Sequence, residues 1–305
     1  IAVAPDNADI SAYADTATDL AYVSTNGGTS DGSLGTIQES GGAAVDTIQD
    51  IAVSAANSSG INYVAVSGYE LNGTNKEANV WYYDVGDASP LWLETNDKNG
   101  FASASDTTYS GANFSPAVIF SPQFAADQVM LAITVGVNAP STTDNVSLEI
   151  YSFNQSKWNA SAGFTGYRVI FAADTGITGA DAADLAVGPD YLGSDDAMRL
   201  VFAGLDLTAD ETKNGIHRID DTSTKELKIG TSIDIGTIDY NGSVLVAGHA
   251  DLNTVRYSLD PTATTPTVKA TRTNKRPGYS ATTLTQVAWA GDDIFAGGTG
   301  NESAF

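Results

Sequence analysis

The chain is 305 residues long and 42% hydrophobic, with 37 acidic against 14 basic side chains and a formal charge of −23. That balance argues against a nucleic-acid partner, which needs a basic footprint, and against docking on an anionic membrane surface. The absence of cysteine excludes disulfides, thiolate metal sites, thiol catalysis and covalent haem, and no run approaches 18 apolar residues, so no membrane insertion is expected.

From the first residue the chain is written as pairs of apolar β-prone runs joined by turns. Ile1–Ala4 leads through Pro5-Asp6 into Ile10–Ala14, with a third strand at Asp19–Ser24 and a glycine turn at Gly27-Gly28. Ile51–Ser54 leads into Tyr63–Val66, and the third strand of that unit is Ala78–Asp84. A turn over Gly86–Pro90 then precedes Leu91-Trp92-Leu93, and Asn96–Gly111 reads as a polar loop. Ala117–Phe120 and Val129–Val135 flank Ser121-Pro122, where proline fixes a turn and removes a donor. Ser147–Ser152 alternates as a half-buried strand should. Leu185–Gly188 leads into Arg199–Gly204, followed by Gly215–Asp220. Ile238–Gly242 leads into Val244–Gly248, followed by Thr254–Leu259. Ala288–Asp292 leads into Ile294–Gly298. No amphipathic helix of ten residues is expected.

The residue closing the first strand of each unit falls at Ala4, Ser54, Ser121 and Gly188, at spacings of 50, 67 and 67. A period near 50 with four short strands per unit is that of a propeller blade. Two copies carry about 17 extra residues, the size of one loop insertion. The expectation is an all-β propeller over residues 1–305, of about six four-stranded blades (seven if the parent chain extends further). Their approximate ranges are 1–46, 47–112, 113–179, 180–231, 232–280 and an incomplete 281–305. Ile1 opens inside one repeat and Phe305 closes inside another, which reads as part of a longer surface protein. The incomplete last blade would leave a strand edge open to pairing. The predicted core is Val118, Phe120, Leu131, Ile133, Val187, Val201, Ala203, Leu245 and Ala247.

Ser24, Asn26 and Gly28 match the serine, amide-or-acid and glycine positions of the Asp-box, Ser-x-Asp-x-Gly-x-x-Trp, with Asp31 where the aromatic residue should stand. Ser152, Asn154 and Trp158 match it one residue short. On these residues the chain resembles extracellular and cell-surface propellers of the WD40/YVTN/Asp-box group. The resemblance implies blades in which this motif turns the chain between outer strands. Because Asp-box propellers include sialidases, it also raises an enzyme reading, with three arginines clamping a carboxylate. Arg168, Arg199, Arg218, Arg256, Arg272 and Arg276 are the available arginines, and none sits in the signature that opens sialidase domains. Arg272–Arg276 is the only basic cluster and reads as a solvated loop.

His217 and His249 are the only histidines and lie in different units, too few for a zinc site or a Ser-His-Asp arrangement. No catalytic or cofactor-binding residue is assigned. The acid pairs Asp195-Asp196, Asp220-Asp221 and Asp292-Asp293, and the run Asp206–Glu211, read as turn formers, with calcium as the alternative for oxygen-rich loops. Eight Asn-x-Ser/Thr sequons mark candidate glycosylation sites: Asn57, Asn72, Asn113, Asn145, Asn154, Asn159, Asn241 and Asn301. Several would arise by chance in so Asn- and Ser-rich a chain, but together they point to an exported, glycosylated surface. The functional expectation is a non-catalytic structural or interaction domain at the cell surface, in a surface layer or similar outer assembly. Its partners would be other surface proteins or copies of itself. The alternative is a carbohydrate-binding or glycan-cleaving propeller of sialidase type.

Overall fold

The computed structural model describes residues 1–38, 41–87, 90–101, 111–137, 143–209, 212–272 and 284–299. The protein is all-β, a succession of antiparallel meanders. Blade 1 is β1 (Ala2–Ala4), β2 (Asn7–Asp15), β3 (Leu20–Ser24) and β4 (Gly32–Thr36). Blade 2 is β5 (Thr47–Val53), β6 (Asn62–Asn72), β7 (Asn75–Val85) and β8 (Trp92–Glu94). Blade 3 is β9 (Ala112–Phe120), β10 (Val129–Gly136), β11 (Asp144–Ser152) and β12 (Lys157–Trp158), with β13 (Val169–Asp174) also pairing β11. Blade 4 is β14 (Gly179–Val187), β15 (Leu200–Thr208), β16 (Gly215–Asp220) and β17 (Ser223–Ile229). Blade 5 is β18 (Ile235–Tyr240), β19 (Leu245–His249), β20 (Thr254–Ser258) and β21 (Lys269–Arg272). The last sheet has two strands, β22 (Leu284–Ala290) and β23 (Asp293–Thr299). Each four-stranded sheet runs through its strands in chain order, the blade pattern of a β-propeller, and the last blade is partial. The expected strand edge beyond Ser303 lies outside the described residues.

The chain divides into two compact units, one of Ile1–Ala173 with Leu192–Asp196 and the other of the remaining described residues. In the first, blade 1 packs on blade 2 around Ile51, Val64, Val66 and Trp81. Blade 2 packs on blade 3 around Val80, Phe120, Phe124, Tyr151 and Trp158. In the second, blade 4 packs on blade 5 around Phe202, Ile216 and Tyr240, and blade 5 on the last sheet around Val246, Val255 and Val287. β10, covered on both faces, reads as a nearly continuous apolar run. Every residue of β11 is buried too, so Ser147–Ser152, whose alternation predicted a half-buried strand, is covered on both faces. Its polar residues are buried as well, with Glu149 accepting the Thr134 hydroxyl at 2.8 Å. Of the predicted core, Val118, Phe120, Leu131, Ile133, Val201, Ala203, Leu245 and Ala247 are buried. Val187 is only half-buried, because it is the last residue of β14 and leads straight into the Gly188-Pro189 turn. The Ser121–Gln128 connection is not a plain turn. It contains one helical turn, Phe124–Asp127, ended by Gln128 in the left-handed region at φ 50°.

Adjacent blades are also tied by an aspartate on the first strand. Asp50 accepts the Val118 backbone N–H at 2.9 Å and the N–H of Ile51 at 2.8 Å. Asp184 does the same for Ile238 and Leu185, both at 2.8 Å. Asp239 does so for Trp289 and Tyr240, both at 2.7 Å. Each carboxylate therefore satisfies a first-strand donor of the following blade, where no ladder partner reaches. In blade 5 this close approach requires glycine: a Cβ on Gly248 would stand 1.8 Å from the Thr285 carbonyl oxygen of β22.

Candidate binding site

The outer strands of blade 2 carry an open cavity of about 320 Å³, lined by Tyr63, Tyr82, Asp84, Asp87, Leu91 and Leu93. Register explains why these residues meet. Tyr63 of β6 lies opposite Asp84 of β7, and Tyr82 of β7 lies opposite Leu93 of β8, so all four share one face of the sheet. The face is turned toward blade 3. There Tyr63 and Tyr82 become the rim of an aromatic cluster, with ring centroids 5.2 Å and 5.0 Å from Phe153. The two tyrosines stand 5.9 Å apart, edge to face, the arrangement their ring quadrupoles favour. Leu91, at the end of the β7–β8 turn, is 65% exposed, and Leu93 is 37% exposed. The walls are thus apolar and aromatic while the charged lining groups are both carboxylates.

Asp84 is the polar centre of this cavity. Its Oδ1 is buried and accepts no hydrogen bond. Burial first, and the neighbouring Asp87 second, push its pKa above the usual carboxylate range. Burial, with the Asp84 charge behind it, raises the Tyr63 phenol as well, although Asn57 Nδ2 donates to its oxygen at 3.3 Å. None of the lining residues was singled out in the sequence. The available signal was the alternation Val80-x-Tyr82-x-Asp84, which puts a carboxylate on the aromatic face of a strand, followed by two leucines just after a Gly/Pro turn.

The residues the sequence did single out lie elsewhere. His217, on β16, is buried with Nε2 2.9 Å from the Lys213 carbonyl oxygen, and burial lowers its pKa to about 4. His249, the last residue of β19, is buried too: Nε2 faces the Ser232 carbonyl oxygen at 3.1 Å while Nδ1 accepts the Asp251 N–H at 3.1 Å. Its pairing with Ile235 places it on the strand. The arginines brace the blades. Arg168 approaches buried Glu149 at 3.8 Å, and Arg199 pairs with Asp221 at 3.0 Å. Arg218 donates to the carbonyl oxygens of Pro261 and Ala263 at 2.8 Å and 3.1 Å. Arg256 is partly buried, and burial lowers its pKa. Arg272 closes strand β21 where a loop was expected, and Arg276 lies outside the described residues.

Among the described residues no three histidines, aspartates or glutamates gather as a metal-binding group. Asp206 instead faces Asn214 Nδ2 at 3.3 Å, while Asp210 and Glu211 lie outside the described residues. Of the sequon asparagines, Asn72 and Asn154 are exposed, and Asn72 Nδ2 donates to Glu77 at 3.0 Å. Asn57 and Asn241 are half-buried, their Oδ1 atoms accepting turn N–H groups. Asn113 Nδ2 donates to the Lys76 carbonyl oxygen at 3.0 Å, and Asn159 Nδ2 donates to Gly100 O at 2.9 Å and to Glu149. Asn145 is buried, and Asn301 lies outside the described residues.

The Asp-box geometry is present at Ser24. Its Oγ accepts the Gly28 N–H at 2.9 Å and donates to Asn26 Oδ1 at 3.0 Å, and Asn26 in turn accepts the Ser30 N–H at 3.0 Å. A second such turn, missed in the sequence, occurs at Ser258, whose Oγ donates to Asp260 Oδ1 at 3.0 Å while Asp260 accepts the Thr267 N–H at 2.9 Å. The turn after Ser152 is held differently, by the Gln155 N–H to Ser152 O bond at 3.2 Å. There Trp158 is buried and donates from Nε1 to Thr95 O at 3.1 Å.

No protein-family model matches the sequence, and no curated protein does. Solved structures do resemble the fold. One is from the nidogen/laminin complex, 11% identical over 84% of this chain and 74% of that chain, with a TM-score of 0.45. Another is an α-L-arabinofuranosidase from Fusarium graminearum, 10% identical over 92% and 80% with a TM-score of 0.49. A third is the WD40 domain of Toxoplasma gondii coronin, 13% identical over 90% and 70% with a TM-score of 0.34.

Proposed function

We propose that this chain is a non-catalytic interaction domain of an extracellular, cell-surface assembly, binding other surface proteins or further copies of itself. The observation that carries this reading is how the reactive side chains are used. The two histidines are buried against backbone carbonyls, Arg168 and Arg199 are tied to acids of their own blades, and Arg218 of blade 4 is tied to backbone carbonyls of blade 5. The blade 2 cavity offers aromatic, apolar and acidic surface suited to holding a ligand. The strongly acidic composition favours a solvated outer surface, and the exposed sequons Asn72 and Asn154 are the positions at which we expect glycans. One observation favours a second reading, carbohydrate binding: two tyrosine rings beside two carboxylates line that cavity.

Native mass spectrometry of material released from its source surface, before and after enzymatic deglycosylation, tests the proposal alongside assays on aryl sialosides and arabinosides. The expected outcome is a glycosylated multi-subunit complex without turnover. A monomer that hydrolyses either glycoside would overturn the reading.

A further inference from the structure

We propose that the blade 2 cavity is a receptor for an alkylammonium group, carried by a lysine side chain of a partner protein. This deepens the interaction-domain reading by naming the chemistry of one contact. Four features of the cavity converge on such a ligand. Asp84 Oδ1 is buried without a donor, a condition that costs free energy until a donor arrives. The lining contains two carboxylates and no cationic side chain, so the field inside it is negative. Tyr63 and Tyr82 both line the cavity, and tyrosine rings attract ammonium groups, more strongly where water is displaced. Leu91 and Leu93 give an apolar track leading outward, matched to a four-carbon stem that lies along apolar surface while its charged end reaches a polar site. The net charge of −23 would draw a basic partner surface toward the domain. A neutral sugar could stack on the same rings but would leave the negative field uncompensated.

The probes are n-butylammonium chloride and Nα-acetyl-lysine methylamide, titrated into the full chain while the methyl resonances of Leu91 and Leu93 are followed by NMR. Methyl β-galactopyranoside serves as the neutral comparison. The expected result is saturable shifts at both leucines with the two ammonium probes and none with the sugar. Asp84→Asn should weaken the ammonium affinity about fivefold or more, as loss of a charge partner in a partly shielded site does. Should that variant fold poorly, Leu91→Ser, at a largely exposed position, should still weaken it measurably. Absence of shifts with the ammonium probes, shifts with the sugar alone, or unchanged affinity in both variants would each overturn the proposal. Assembly is read separately by native mass, so a complex that assembles but ignores ammonium removes this proposal and leaves the interaction-domain reading standing.

Discussion

Blades 1 and 3 share one topology and differ in what covers them. In blade 3 every residue of β10 and β11 is buried, because β10 and β11 are enclosed on both faces, and the sequence of Val129–Val135 is apolar but for Thr134. In blade 1 the strands alternate. Ala12, Ala21 and Val23 turn toward blade 2, while Tyr13 and Tyr22 point the other way and stack at 5.0 Å. The outward face also carries Val3, 52% exposed. The same meander is therefore a core element or a surface element according to whether its second face is covered; composition follows that coverage in β10, whereas β11 keeps Asn145, Ser147 and Glu149 buried.

The largest effect is expected from truncation in the enclosed blade. Phe120 is buried and packs at 5.1 Å against Phe124. Phe120→Ala should cost roughly 3–5 kcal/mol in urea unfolding, the range for large-to-small core changes. Val3→Ala in blade 1 should stay within about 0.5 kcal/mol, as surface changes do. A Phe120→Ala loss under about 1 kcal/mol would break the comparison from one side. A Val3→Ala loss as large as about 2 kcal/mol would break it from the other, because it would mean that blade 1's outward face is covered in solution.

A middle effect concerns the ties between blades, and it has a pH signature. Burial is the main cause that raises the Asp50 pKa from 3.8 to about 6, against the pull of the Val118 and Ile51 N–H groups. The folded state therefore holds this proton more tightly than the unfolded chain does. Its contribution to stability is full below about pH 3.8 and is lost as pH rises through about 6. Asp50→Ala should remove that slope. It should also leave the Val118 N–H without an acceptor, at a cost of about 1–3 kcal/mol. Parallel melts of wild type and variant between pH 3.5 and about 7 check both. Curves that run parallel throughout would show that Asp50 does not titrate differently on folding. In blade 3 the position aligned with Asp50 is Ala117, so no equivalent slope should come from there.

How much of this was legible in the sequence follows the distance over which each feature is written. Strand–turn–strand pairs are local, so Ile51–Ser54 or Val129–Val135 could be recognised as blade elements from periodicity and turn residues alone. The tie from Asp50 to Val118 spans 68 residues. In the sequence, Asp50 is one aspartate among many, and only the packing of consecutive blades gives it a partner. The cavity at Tyr82 and Asp84 needed the register of β6, β7 and β8, which a one-residue shift would have scattered to opposite faces. Val187 was misplaced for a related reason, since an apolar residue at a strand end looks like one in its middle. The Ser24 turn was readable because its residues follow the motif, whereas at Ser152 the same letters sit in a turn one residue too short.

That last contrast gives the smallest expected effect. Ser24 is buried beside its turn, and its Oγ both accepts the Gly28 N–H and donates to Asn26. Ser24→Ala leaves that donor and acceptor without their partner, at a cost of about 1 kcal/mol. Ser258→Ala should behave alike, because Ser258 is buried and bound to Asp260 in the same way. Ser152→Ala should cost less than Ser24→Ala, since the turn that follows is closed by the Ser152 carbonyl, which alanine also supplies. The measurement is denaturant unfolding of the three variants, with amide exchange at Gly28 as the local readout. Exchange there should speed up in Ser24→Ala and remain unchanged in Ser152→Ala. Equal losses at Ser24 and Ser152 would mean that the side-chain bonds seen at Ser24 contribute nothing beyond the backbone turn, and that the motif marks a turn without stabilising it.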